Sequence, residues 1–169
     1  RYLLQEDLQA RIQELAEVLS GTYKQQHPVV ITTLTGAYRF AAALLPALQV
    51  PYAPDFVKVS SYKDAMSAQT APSLKLDAHL DLQGRPVLLL EDIVESGATI
   101  ELLRPHLLQR GARSVEVATL FYKAGKFRGQ QPPDYVAFPI EDPFIVGFGL
   151  DYAQEGRHLN DVYQLEEDA

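Results

Sequence analysis

The chain predicts an α/β fold, with a parallel sheet flanked by helices. Three observations lead there. Short apolar and β-branched runs alternate with stretches of helical periodicity, and that alternation builds sheets covered on both faces. Gly21, Thr35-Gly36 and Pro132-Pro133 punctuate the runs at turn positions. No internal repeat, low-complexity tract or second unit interrupts the pattern, so residues 1–169 are expected to form one domain.

The elements follow in order. Leu8, Ile12, Leu15, Ala16 and Leu19 recur at helical spacing, which predicts an amphipathic helix over 5–20 with Gly21 as its stop. Val29 to Leu34 is a β-branched run and reads as a buried strand. After the Thr35-Gly36 turn, Tyr38 to Leu48 reads as a helix, and Phe56 to Ser60 as a second strand. Residues 61–79 are polar without clear periodicity, and so long a loop in a compact domain is often a functional lid. Val87 to Leu90 is a strongly apolar strand. It runs through Glu91–Thr99 into a helix ending near Arg110, where Pro105 predicts a kink or a late start. Val115–Tyr122 and Tyr135–Phe138 read as further strands, and Ile145–Phe148 and Val162–Leu165 as short final ones. Sheets of this kind bind ligands beyond the carboxyl ends of their strands. That rule brings the turns at 35–36, 91–99 and 122–126 into one crevice.

Composition narrows the function classes. The chain has no cysteine, so disulfides and Cys-based metal sites are excluded. With 22 acidic and 15 basic residues, the formal charge is −7. An acidic chain lacks the positive field that draws proteins to nucleic acid or anionic lipid, so neither is an expected partner. The longest apolar run, Phe40 to Val50, is broken by Pro46 and Gln49 and is too short to span a bilayer. No charged-then-apolar leader opens the chain, and the expected location is the cytoplasm. The first residue is Arg1, so a few N-terminal residues are expected to precede it.

Residues 87–99 carry the chemistry. An apolar strand delivers two adjacent carboxylates, Glu91 and Asp92, and a short loop with Ser96, Gly97 and Thr99 leads into a helix. The exposed N–H groups of a helix start favour a phosphate. Gly97 lets the backbone approach an anion, and the two hydroxyls add donors. Carboxylates beside a phosphate site repel the ligand unless they face hydroxyls or a cation. A sugar phosphate answers both ends. Taken singly, each of these residues is an ordinary strand end, acidic turn or helix cap. Their joint order is what points to the sugar phosphate.

The segment Val87-Leu-Leu-Leu-Glu-Asp-Ile-Val-Glu-Ser-Gly-Ala-Thr99 resembles the phosphoribosyl-pyrophosphate motif of the type I phosphoribosyltransferases. Other stretches resemble the hypoxanthine-guanine members of that family. Ser60-Ser61-Tyr62 is similar to the start of their mobile loop, and Lys123 to the lysine that reads the purine 6-oxygen. Phe144–Tyr152 is similar to their purine-binding strand and acidic turn, and Arg157 to the arginine that reaches pyrophosphate.

The resemblance implies a Rossmann-like sheet with a small hood formed by terminal segments. It implies transfer of the phosphoribosyl group from phosphoribosyl pyrophosphate to hypoxanthine or guanine, giving IMP or GMP in purine salvage. Glu91 and Asp92 then hold the ribose hydroxyls, directly or through Mg2+, and Asp151 a second Mg2+. Ser96, Gly97, Ala98 and Thr99 hold the 5-phosphate, and Thr35, Gly36 and Arg157 the pyrophosphate. Glu95 takes the purine N7 proton. Phe144 stacks on the base, Ile145 offers backbone groups near position 2, and Lys123 donates to the 6-oxygen. Ser61, Tyr62 and Lys63 begin the lid. A homodimer or homotetramer is implied as well.

Three positions depart from the family pattern. Thr35 stands for the usual Lys, Lys63 for Gly and Glu95 for Asp. The extra methylene of Glu95 moves its carboxylate by about 1.5 Å, and misplacement of about 1 Å can cost on the order of 100-fold in rate. A second expectation therefore stands beside the enzyme: a regulatory protein that binds nucleotide or phosphoribosyl pyrophosphate on the same fold.

Overall fold

The computed structural model describes residues 1–61 and 71–166. Three α-helices are among them: α1 (Gln5–Thr22), α2 (Tyr38–Leu44) and α3 (Ala98–Gln109). The strands are β1 (Val29–Leu34), β2 (Ala53–Ser61), β3 (Pro72–Leu76), β4 (Pro86–Val94), β5 (Ser114–Tyr122), β6 (Tyr135–Pro139), β7 (Ile145–Val146) and β8 (Tyr163–Gln164). The main sheet runs β3-β2-β1-β4-β5-β6. Its pairs are parallel except β2 with β3, which is antiparallel.

Strand alternation sorts the apolar side chains into two cores. Val30, Leu88 and Leu90 face α1 and α2, together with Leu8, Ile12, Leu19 and Phe40. Val29, Ile31, Val87 and Leu89 face the opposite way and pack with Ile100, Leu103 and Leu107 of α3. Each such side chain contributes on the order of 1.5–3 kcal/mol when fully buried. The runs Val29–Ile31 and Val87–Leu90 are apolar at consecutive positions because both faces of the sheet are covered there.

The terminal segments form a separate small layer. β7 pairs antiparallel with β8, and Leu3 bridges Val162, so the two ends of the described chain meet there. This is the expected hood. No helix among the described residues is long and apolar enough to cross a membrane.

Several boundaries differ from the sequence reading. The polar stretch 61–79 contains β3, which pairs with the end of β2. Pro72 opens this strand, a position where its missing N–H is tolerated. The helix after Gly36 ends at Leu44 and tightens into a 3-10 turn over Leu45–Ala47, because Pro46 cannot continue it. α3 has no late start: it begins at Ala98 and runs through Pro105, whose side is exposed. β4 extends past Leu90 to Val94, so the two carboxylates sit on a strand and not in a loop. The pairs Glu91↔Thr119, Ile93↔Phe121 and Val94↔Tyr122 with β5 hold that extension. β7 stops at Val146, since Gly147, Phe148 and Gly149 all adopt positive φ and turn the chain.

Candidate active site

The crevice opens where two central strands part. Pairing of β1 with β4 stops at Thr32↔Leu90. Beyond it, β1 follows β2 to Leu34↔Lys58, and β4 follows β5 to Val94↔Tyr122. Strand order also reverses between these neighbours, and open α/β sheets place their ligands at such a point. The turn after β1, the end of β4 and the loop into α3 all face this gap.

Glu91 is 4% exposed, and its Oε1 accepts a hydrogen bond from Thr33 Oγ1 at 3.1 Å. Burial pushes its carboxyl well above the usual range, the Asp92 charge pushes it further, and the Thr33 bond opposes both. Asp92 lies against the first turn: a Cβ on Gly36 would stand 2.0 Å from Asp92 Oδ2. Glycine at 36 is what admits the carboxylate. Burial raises Asp92 to about 6, opposed by backbone N–H groups and by the charge of Arg157. No salt bridge reaches Glu91 or Asp92 among the described residues.

The loop into α3 is shaped by Gly97. Its φ is 86°, and a Cβ there would stand 2.4 Å from the Phe127 ring. Ser96 Oγ accepts from the Ala98 N–H at 3.3 Å, and the first helical bond is Glu101 N–H to the Gly97 carbonyl. The N–H groups ahead of that bond have no partner within the helix and point at the loop.

The next turn brings a charged cluster. Lys123, directly after β5, is 3% exposed. Its Nζ lies 2.5 Å from Glu95 Oε1 and 3.2 Å from Asp142 Oδ1. Lys126 Nζ lies 2.7 Å from the same Asp142 oxygen. Phe144 leaves 46% of its surface exposed and meets Tyr152 edge-on at 5.7 Å, while Ile145 is buried in β7. A ring exposed to that extent has a face free for stacking.

The hood is docked onto the start of the sheet. A Cβ on Gly149 would stand 2.3 Å from the Gly36 carbonyl oxygen. Arg39 of α2 stacks 5.1 Å from the Phe148 ring centroid and donates to His158 O and Asn160 Oδ1. Arg157 Nη1 donates to Gly149 O at 2.7 Å, and its Nη2 lies 3.1 Å from Asp151 Oδ1. These contacts bring Asp151 and Arg157 to the crevice from more than fifty residues downstream of Asp92.

Two adjoining clefts result. One, of about 340 Å³, is lined by Glu91, Glu95, Ser96, Gly97, Ala98 and Thr99. The other, of about 160 Å³, is lined by Asp92, Lys123, Phe144, Ile145 and Asp151. Ile93 and Glu95 line both. Thr35, Gly36 and Arg157 line neither; Gly36 and Arg157 border them through Asp92 and Asp151. Ser61 ends β2, and Tyr62 and Lys63 lie outside the described residues. Thr33, Phe127, Lys126 and Asp142 were missed from sequence. Only Gly97 hinted at one of them, since a glycine before a helix can mark a close neighbour.

The match to known proteins decides the family. Residues 2–153 match the family described as phosphoribosyl transferase domain. The chain belongs to that family. It is 37% identical to a hypoxanthine phosphoribosyltransferase of Salmonella typhimurium, over 90% of this chain and 87% of that one. A solved hypoxanthine phosphoribosyltransferase from Staphylococcus aureus superposes with a TM-score of 0.91 at 30% identity, covering 98% of this chain and 90% of that chain. The Trypanosoma cruzi hypoxanthine phosphoribosyltransferase, solved in complex with the product IMP, gives 0.88 at 32% identity, with coverage of 97% and 92%. These relatives are enzymes over nearly their whole length, which favours the catalytic expectation over the regulatory one.

Proposed function

We propose that this chain transfers the phosphoribosyl group from phosphoribosyl pyrophosphate to N9 of hypoxanthine or guanine, releasing pyrophosphate. The observation that carries the residue assignment is the place of Glu95, among the described residues the one ionisable side chain common to both clefts. A group that moves a proton between base and sugar sites has to stand between them.

In this reading the loop Ser96–Thr99 holds the 5-phosphate on its N–H groups and hydroxyls. Phe144 stacks on the purine, Ile145 offers backbone groups near position 2, and Lys123 donates to the 6-oxygen. The N9–C1′ bond forms as the C1′–oxygen bond to pyrophosphate breaks, and the N7 proton passes to Glu95. Thr35 and Gly36 hold pyrophosphate through backbone groups, with Arg157 adding positive charge. Thr35 is neutral where the family has Lys, so this chain leans more on Arg157.

Glu91 and Asp92 fit a divalent cation or ribose hydroxyls. Both are carboxylates that burial pushes up, and among the described residues no basic side chain forms a salt bridge to them. Hard oxygen donors of this kind suit Mg2+, which keeps several waters and takes few protein ligands. Asp151, whose carboxylate pairs with Arg157, would hold a second ion through water when that pair opens. The cation supplies neutralising charge on the leaving group. A homodimer or homotetramer working in the cytoplasm completes the proposal, and light scattering on the purified chain checks the assembly.

The test is direct. Purified protein is mixed with Mg2+, phosphoribosyl pyrophosphate and each of hypoxanthine, guanine, xanthine and uracil, and nucleotide formation is followed. Turnover is expected with hypoxanthine or guanine. Binding of phosphoribosyl pyrophosphate without turnover of any base would leave a regulatory protein instead.

A further inference from the structure

Lys123 is a buried ammonium, and such a group is tolerated only when paired. Two carboxylates meet it, Glu95 and Asp142. The reading above gives Glu95 a task and leaves Asp142 without one. Yet Asp142 is placed with care. It precedes Phe144 and Ile145 on the strand entry, and one of its oxygens spans Lys123 and Lys126.

We infer that Asp142 is the positioning residue for Lys123, holding its ammonium toward the purine 6-oxygen while Glu95 turns from Lys123 to the N7 proton. This rests on the base-binding roles proposed above. The chemistry requires such a group. As N9 bonds to C1′, the electron pair of the old bond leaves on pyrophosphate. The N7–H pair stays in the ring, and the proton goes to the Glu95 carboxylate. Glu95 is then neutral and no longer offsets Lys123. A buried cation facing only a neutral carbonyl is unfavourable, so a second anion has to remain. Asp142 is that anion.

Geometry keeps it out of the proton transfer itself. Asp142 lines a third, outer cleft that shares Glu95, Lys123 and Phe144 with the smaller one, but it does not line the smaller cleft where the base would lie. It acts on the base through Lys123. Lys126 holds the same oxygen from the solvent side, which fixes the carboxylate's orientation. Hydrogen bonds from Lys126 and then Lys123 hold its carboxyl below the usual range, so it stays ionised at working pH. The Lys126–Asp142 pair is half-exposed at both ends, so its consequence is orientation and not stability.

The test compares Asp142→Asn, Asp142→Glu and Lys123→Ala by steady-state kinetics. Inhibition by unsubstituted purine, which has no 6-oxygen, is measured alongside. Asp142→Asn is expected to raise KM for hypoxanthine about tenfold, equivalent to about 1.4 kcal/mol. KM for phosphoribosyl pyrophosphate stays within twofold, inhibition by purine is unchanged, and Asp142→Glu recovers most of the loss. An unchanged hypoxanthine KM in Asp142→Asn, with Lys123→Ala impaired, overturns the inference and leaves the base-binding reading intact. An equal rise for both substrates also overturns it, because Asp142 is then merely structural. If Lys123→Ala itself leaves hypoxanthine unaffected, the base-binding reading fails and the inference falls with it.

Discussion

Glu91 and Asp92 on β4 differ from Glu95 and Asp142 in how their charge is answered. The first two sit on the sheet, and burial raises both carboxyls, while among the described residues Thr33 is the one side-chain donor to Glu91. Glu95 and Asp142 are about half exposed, and each lies within ion-pair distance of Lys123. The inner pair is uncomfortable by construction, so whatever binds there has to bring hydroxyls or positive charge. The outer pair is already compensated, so what binds there has to be polar but neutral, able to exchange with an ion pair at little cost. A magnesium-bound sugar and a purine base meet those two demands respectively.

The largest expected effect breaks the outer side. Glu95→Gln keeps a hydrogen-bonding group near Lys123 but cannot take a proton, and kcat is expected to fall ~10²–10⁴-fold. Equilibrium binding of phosphoribosyl pyrophosphate should change little. Near-normal turnover would remove Glu95 from the mechanism. Next comes Lys123→Ala, which deletes a charge-assisted hydrogen bond of about 1.5–3 kcal/mol. Purine affinity should then drop by roughly 10–100-fold. Calorimetry with phosphoribosyl pyrophosphate alone should show no matching loss. Gly36→Ala strikes the inner side: the new methyl displaces the Asp92 carboxylate. Affinity for phosphoribosyl pyrophosphate with Mg2+ is expected to fall about tenfold, with base affinity unaffected. Equal losses for both ligands would dissolve the contrast between the two pairs.

The inner pair was readable in the sequence, while part of the outer pair was not. Val87–Thr99 carries its signals locally: an apolar run, two acids, a glycine and a helix start within one short span. Its surroundings follow from strand alternation alone. Asp142 and Lys126 carry no local signal, because Asp142 is joined to Lys123 and Lys126 by the fold and not by spacing. Phe127 gives no local sign of its place, though its ring is what fills the space beside Gly97. β3 was hidden for the same reason. Five residues at a sheet edge have little periodicity to show, and their pairing with β2 is a tertiary fact. The end of β4 was misread because two acids look like a turn until β5 supplies a ladder for them.

The smallest expected effect concerns stability, and its sign runs against intuition. Asp92 has a folded-state value of about 6 against an ordinary 3.8, so the folded protein binds this proton more tightly than the unfolded chain. The resulting penalty is absent below the ordinary value, grows as pH rises, and is complete above about 6. At one pH unit per 1.36 kcal/mol, discounted for partial exposure, it amounts to about 1–3 kcal/mol at neutral pH. Asp92→Asn removes the penalty. Without ligand, the variant should melt some ~3–8 °C above the parent at pH 7.5. The gain should shrink toward zero near pH 4. Added Mg2+ and phosphoribosyl pyrophosphate should reverse the order, since the parent alone then gains stability from binding. A melting difference of equal size at both pH values would mean that Asp92 is not strained by its charge. The inner pair would then be an ordinary structural pair, and the contrast with Glu95 and Asp142 would be lost.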